Sequence, residues 1–303
     1  MSIFKKKKKI DEDGERLKEL VREKYGQIAK DAPAPGQAPP KQPASCGCCC
    51  SPAPSPCCAP AAGPSASTCY AEDVAGLKGA YGKLDGHIEE ADLGLGCGLP
   101  TEHAGLAPGQ TVVDLGSGAG NDVFIARSVV GDAGRVIGVD MTPEMIAKAR
   151  ENAARRGFRN VEFRLGDIET LPVDDASADV VVSNCVLNLV PDKRRAFAEI
   201  FRVLKPDGRF CVSDIVLEGE LPRTLREAAE LYVGCVAGAL QAGEYLGIIR
   251  ETGFAGVEVR SSKRIDLPDE VLLGHLGPTG LAAYRASGAA VLSITVVGTR
   301  PKG

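Results

Sequence analysis

From Thr111 onward the apolar positions come in short runs separated by amphipathic stretches. Thr111–Leu115, Arg135–Val139, Val161–Leu165, Ala178–Ser183 and Arg209–Asp214 read as strands. Asp122–Val130, Pro143–Arg156 and Asp192–Leu204 lie between them at helical spacing. Thr142 is the expected N-cap of the second helix, with Pro143 at its first position. The continuous apolar run Ala178–Ser183 suits a central parallel strand covered on both faces. Strand–helix alternation of this kind predicts an α/β fold with a doubly wound, mostly parallel sheet. Lys205-Pro-Asp-Gly208 is a turn before the fifth strand. Further on, residues 222–239 and 241–252 read as helical, and Val257–Arg260 and Val291–Gly298 as late strands. The two late strands are too far apart for a simple hairpin, which predicts a C-terminal cap segment over residues 261–290.

Before Thr111 the pattern changes. Residues 11–30 predict an amphipathic helix with Leu17, Leu20, Val21, Tyr25 and Ile28 on one face. Residues 33–64 are dominated by Pro, Ala, Ser, Gly and Cys, a mix that buries too little apolar surface to offset ordering entropy, so this N-terminal region is expected to be disordered. The expected organisation is a basic tail (1–10), a helix (11–30), a Pro/Cys-rich linker (31–69), a cofactor-binding domain (70–220) and a C-terminal region completing the sheet (221–303).

Net charge is −4, which gives no electrostatic reason to expect nucleic acid. The run Lys5–Lys9 is followed by Asp11, Glu12 and Asp13 and not by an apolar segment, so no signal peptide is read. No stretch approaches the ~18 apolar residues of a membrane span. The expectation is a cytoplasmic protein. Its 11 cysteines then stand out, because cytosolic thiols stay reduced and a structural disulfide framework is disfavoured. Soft-metal or metalloid binding, or redox work, remain for such a cluster.

Asp114-Leu-Gly-Ser-Gly-Ala-Gly120 lies between a strand and a helix. Gly116, Gly118 and Gly120, with Ser117 between them, let the backbone approach a ligand at a helix N-terminus. A dinucleotide fingerprint would place its third glycine at Asn121. Asp114 at the loop entrance disfavours a pyrophosphate and suits a cationic amino-acid moiety and sulfonium. Asp140, followed by Met141, ends the second strand, where a carboxylate can bind ribose hydroxyls. Asp167, followed by Ile168, ends the third, where it can accept from an adenine amino group. Three acids at three successive strand ends resemble the class I S-adenosylmethionine-dependent methyltransferases, over residues 111–215.

Longer strings resemble one family within that class. Ser183-Asn-Cys-Val-Leu-Asn-Leu-Val-Pro-Asp192, Arg202-Val-Leu-Lys-Pro-Asp-Gly-Arg-Phe-Cys-Val-Ser-Asp-Ile215, Gly234-Cys-Val-Ala-Gly-Ala-Leu240 and Leu95-Gly-Cys-Gly98 are similar to the arsenite methyltransferases, as is Tyr25-Gly-Gln-Ile-Ala29. The resemblance implies trivalent arsenic held by Cys97, Cys185 and Cys235, and adds Asn184 to the residues expected at the cofactor. It implies S-adenosylmethionine as methyl donor and a delivering or disulfide-forming cysteine among Cys46, Cys48, Cys49, Cys50, Cys57, Cys58 and Cys69. The chemistry agrees: trivalent arsenic is soft and prefers thiolates, and its lone pair is the nucleophile, so no general base is required. Regenerating the trivalent state consumes two thiols as a disulfide, which calls for an external thiol reductant such as glutathione or thioredoxin. Expected partners are arsenite, methylated arsenicals and that reductant, with no nucleic acid, no membrane span, and a chain acting as a monomer. Cys211, inside the fifth strand, reads as core. Two other readings stand beside this one: a small-molecule or quinone-type C-methyltransferase with incidental cysteines, and a soft-metal binding or resistance protein built on the cluster at 46–58.

Overall fold

The computed structural model describes residues 2–32, 79–225, 236–266 and 269–302. Seven strands form one sheet in the order β3-β2-β1-β4-β5-β7-β6. They are β1 (Thr111–Leu115), β2 (Arg135–Asp140), β3 (Val161–Leu165), β4 (Ala178–Asn184), β5 (Leu204–Glu218), β6 (Ala255–Ile265) and β7 (Ala290–Thr299). Strands β1 to β5 pair in parallel, and β7 is antiparallel to both β5 and β6. β1 and β4 are buried along nearly their whole length, which accounts for their unbroken apolar runs.

Helices cover both faces, as expected for a doubly wound sheet. On one face α3 (Asn121–Val130) and α4 (Pro143–Arg155) set Val123, Phe124 and Ile146 against Val112, Val136 and Val180. On the other, α5 (Lys193–Val203) and α6 (Ala242–Glu251) set Phe197, Ile200, Tyr245 and Ile249 against Val113, Val181 and Phe210. Further helices are α1 (Ser2–Asp31), the short α2 (Pro100–His103) and α7 (Asp269–Ser287). Among the described residues no helix is long and apolar enough to cross a membrane.

Several expectations need correction. β5 runs from Leu204 to Glu218 rather than over Arg209–Asp214: Leu204 pairs with Ala178 of β4, and β7 pairs with β5 from Arg209 to Glu218. The Lys205-Pro-Asp-Gly208 segment is therefore an irregularity inside the strand: the register with β4 jumps between Ala178–Leu204 and Val180–Arg209, and Asp207 has a φ of 62°. β6 extends to Ile265 for the same reason, its end pairing with Val291. The cap segment shrinks to α7, which breaks at Gly277 (φ 65°, ψ 175°) before Pro278. In the predicted helix 222–239, Val236–Gly238 is a short 3₁₀ turn and residues 226–235 lie outside the described residues.

The inward face of α1 also differs from the predicted stripe. Leu17 is 41% exposed and Leu20 55% exposed, while Lys18, Gly26 and Ala29 are buried. Glycines permit the approach: a Cβ at Gly14 would sit 3.2 Å from Pro191, and one at Gly26 3.1 Å from Glu144. α1 thus lies across the carboxyl ends of the strands with Lys18, Val21 and Tyr25 on the wall of a cavity.

Candidate active site

That cavity, about 1020 Å³ including the solvent at its mouth, sits at the carboxyl ends of β1, β2, β3 and β4. Its position follows the rule that open α/β sheets bind ligands where neighbouring crossovers diverge. Of the residues expected at the cofactor, Asp114, Gly116, Ser117, Gly118, Asp140, Met141, Asp167, Ile168 and Asn184 line it. Gly120 does not; it is the left-handed N-cap of α3 (φ 101°), where a Cβ would come within 2.7 Å of Phe124. At Gly116 (φ 66°) a Cβ would overlap Val186.

The acids of the cavity are built in. Asp140 accepts from Gly118 N–H at 3.0 Å and Thr142 N–H at 2.8 Å. The Thr142 hydroxyl serves this carboxylate too and makes no cap bond, so Thr142 holds the cap position of α4 without capping it. Burial raises the pKa of Asp140 despite these bonds. Burial also raises Asp114 well above the carboxylate range, with Asp122 and Asp140 adding repulsion. Asp122, on the first turn of α3, is pushed up to about 6 by burial. Three desolvated acids around one cavity favour a cationic ligand and oppose a pyrophosphate. Ser117 Oγ and Asn121 Oδ1 are buried on the same wall with no hydrogen-bond partner among the described residues. These features fit the amino-acid end and sulfonium of S-adenosylmethionine.

Asp167 meets a group that the sequence reading did not connect with it. Lys18 Nζ lies 2.6 Å from Asp167 Oδ2 and also pairs with Glu169. Burial by itself would lower the pKa of this ammonium; the two carboxylates outweigh it and raise it.

Cys185, the first residue beyond β4, stands on the cavity wall in a left-handed conformation (φ 59°). Its N–H donates to Ser213 O at 2.8 Å. Behind it lie Cys97 and Asp214. One ligand atom from each of the three falls within 4.8 Å of the others, and all three residues are buried, at 5%, 4% and 1% exposure. Cys97 is held by Asn184, whose side-chain oxygen accepts from Cys97 N–H (3.0 Å) and Gly98 N–H (3.2 Å), while its amide donates to Gly98 O (2.9 Å) and Asp122 (3.1 Å). Tyr81 joins this network through Gly98 O (3.0 Å) and Asp122 (3.1 Å). Ser293 donates to Cys97 O from β7.

Asp214 has no role in the sequence reading. It accepts from Ile215 N–H (3.0 Å), from the Tyr245 hydroxyl (3.3 Å) and from the Asn188 backbone, and burial pushes it up to about 7. The available signal was positional: β5 neighbours β4, and Asn184 pairs with Ser213, so an acid one residue on falls beside Cys185. Lys18, Tyr81, Asn121 and Asp122 are further wall residues that pattern reading missed. Cys211 is core as expected, with burial pushing its thiol up to about 12. Cys235 and Cys46, Cys48, Cys49, Cys50, Cys57, Cys58 and Cys69 lie outside the described residues.

A methyltransferase-domain family profile matches residues 106–253. The arsenic(III) S-adenosylmethionine methyltransferase of Chlamydomonas reinhardtii superposes with a TM-score of 0.62 and 33% identity, covering 75% of this chain and 74% of that one. The chain belongs to the arsenite methyltransferase family. The arsenite methyltransferase of Halobacterium salinarum is 45% identical over 250 residues, 82% of this chain, and that of Aquipseudomonas alcaligenes 39% identical over 208 residues, 66% of this chain. The chain spans 60% of the length of each of these two relatives. The mixed seven-stranded sheet is accordingly the Rossmann-like fold of the class I methyltransferases.

Proposed function

We propose that the protein methylates trivalent arsenic, taken up as arsenite, at the expense of S-adenosylmethionine. The observation that carries this reading is the meeting of Cys97, Cys185 and Asp214, with Cys185 on the wall of a cavity that the buried acids Asp114 and Asp122 also line. When bound, S-adenosylmethionine supplies an electrophilic methyl group. Gly116, Ser117 and Gly118 with Asp114 hold its amino-acid end, Asp140 its ribose, and Asp167 its adenine, flanked by Met141 and Ile168, while Gly120 turns the loop into α3. α1 excludes water over the adenosine end through Lys18, Val21 and Tyr25.

Arsenic is held by the thiolates of Cys97 and Cys185, with Cys235 as third ligand, so that its lone pair faces the cavity. Alignment of this kind contributes on the order of 7–11 kcal/mol to rate acceleration. Asn184 acts by fixing the Cys97 backbone. The N-terminal cysteines deliver arsenite or close a disulfide, and an external thiol such as glutathione or thioredoxin reopens it. The reducing cytoplasm is the compartment that suits this cycle, and the chain acts as a monomer.

The test is incubation of the full chain with arsenite, S-adenosylmethionine and a thiol reductant, followed by arsenic speciation. Methylated arsenicals are expected from the parent chain and none from Cys185→Ser. Equal methylation by both would overturn the reading. A C-methyltransferase with incidental cysteines would instead survive thiol alkylation.

A further inference from the structure

The thiol site holds one charged group that arsenic coordination by cysteines does not call for. Asp214 is 1% exposed and adjoins an apolar cluster in which Ile215, Leu225, Leu272 and Tyr284 pack with Cys97 and Cys185; the buried Lys193 is the cation that acts on it. Its carboxylate is not free to turn away, being held by Ile215 N–H, Tyr245 and the Asn188 backbone. A carboxylate so fixed keeps an oxygen within 4.8 Å of both sulfurs.

Arsenite enters as a neutral species bearing three hydroxyl groups. In an apolar pocket each hydroxyl that loses water without gaining a partner is disfavoured by its desolvation. A carboxylate is a strong acceptor for such a group.

We propose that Asp214 is the loading residue of the site, accepting a hydrogen bond from an arsenic-bound hydroxyl while the cysteines displace the others. This rests on the arsenic reading given above. In each displacement an Sγ–As bond forms and an As–O bond breaks. The departing hydroxide leaves as water with the thiol's proton, and arsenic stays trivalent, so no oxidant or reductant takes part. After two displacements one hydroxyl remains and donates to Asp214 until a third thiol replaces it. Asp214 is thus a catalytic residue of ligand exchange, acting before any methyl group moves.

The experiment uses the full chain without cofactor and sodium arsenite as the probe. Stopped-flow absorbance follows arsenic–sulfur bond formation, with the Cys185→Ser trace subtracted to remove other thiols. In Asp214→Asn the arsenite loading rate is expected to fall at least tenfold. Phenylarsine oxide, which keeps no hydroxyl once two thiols bind it, is expected to reach the same final affinity within threefold. An arsenite rate within threefold of the parent overturns the proposal. If the parent and Cys185→Ser load alike, it is the arsenic reading of the site that fails, and this inference fails with it. Should Asp214→Asn also lose phenylarsine oxide, Tyr245→Phe decides. Loading slowed threefold or more supports the proposal, and an unchanged rate overturns it.

Discussion

The side-chain oxygen of Asn184 accepts a 3.0 Å hydrogen bond from the backbone N–H of Cys97. Asn184 ends β4 and immediately precedes Cys185, so one residue sets the spacing between both thiols. Its amide also reaches Asp122, which ties the thiol segment to the first turn of α3. Replacing Asn184 by Ala is expected to destabilise the fold by about 1–3 kcal/mol, because the Cys97 and Gly98 N–H groups lose their acceptor. Arsenite affinity should fall at least tenfold and S-adenosylmethionine affinity much less, as read by calorimetric titration of each. A larger loss for the cofactor would return Asn184 to the cofactor-binding set.

Cys185 keeps a left-handed backbone that costs a non-glycine residue roughly 1–2 kcal/mol. Cys185→Gly relieves that strain while losing the buried thiol. Its unfolding free energy should therefore stay within about 1 kcal/mol of the parent. Methylation should nonetheless fall below detection. Chemical denaturation and arsenic speciation on the same variant separate the two effects, and a destabilised but active variant would contradict the assignment.

Lys18 joins α1 to the sheet through Asp167 and the buried Glu169. Lys18→Met leaves the Glu169 carboxylate buried without its cation, at a cost of about 3 kcal/mol. α1 should then lift more readily, seen as faster amide exchange over residues 14–31. Cofactor affinity should drop roughly tenfold, corresponding to about 1.4 kcal/mol. Unchanged exchange in α1 would show that the ion pairs do not hold it.

Asp214 gives a pH signature. Burial raises its folded-state pKa from 3.8 to about 7, so the folded chain binds this proton more tightly than the unfolded chain. The associated stability is fully present below the unfolded value and is lost as pH rises through the folded one. Asp214→Asn lacks this titration. Its stability relative to the parent should therefore improve steadily from about pH 4 to about pH 8. Urea unfolding of both proteins across that range is the measurement, and a difference independent of pH would refute the shift.

The central architecture was legible because its causes are local. β1 to β4 and the helices between them follow from apolar runs and helical spacing, and the glycine loop follows from the need for positive φ at Gly116 and Gly120. The lengths of β5 and β6 were not, since both are set by β7, a partner remote in sequence. The face of α1 was read correctly at Val21, Tyr25 and Ile28, which are half-buried, and wrongly at Leu17 and Leu20, for a related reason. Leu17 and Leu20 share a helical stripe, but glycines on another side allow closer approach, and Lys18 finds two carboxylates there.

By itself, then, the sequence determined the mostly parallel sheet, the acids at three strand ends and the presence of Cys97 and Cys185 beside that sheet. Covalent identity and short-range periodicity suffice for these. The tertiary structure decided which groups meet. It brought Cys97 to Cys185 through Asn184, set Asp214 within 4.8 Å of their sulfurs by pairing β5 with β4, and closed α1 over the cofactor cavity through Lys18. Such contacts join segments far apart in the chain. They depend on desolvation and charge compensation in a shared interior, which no local pattern of residues encodes.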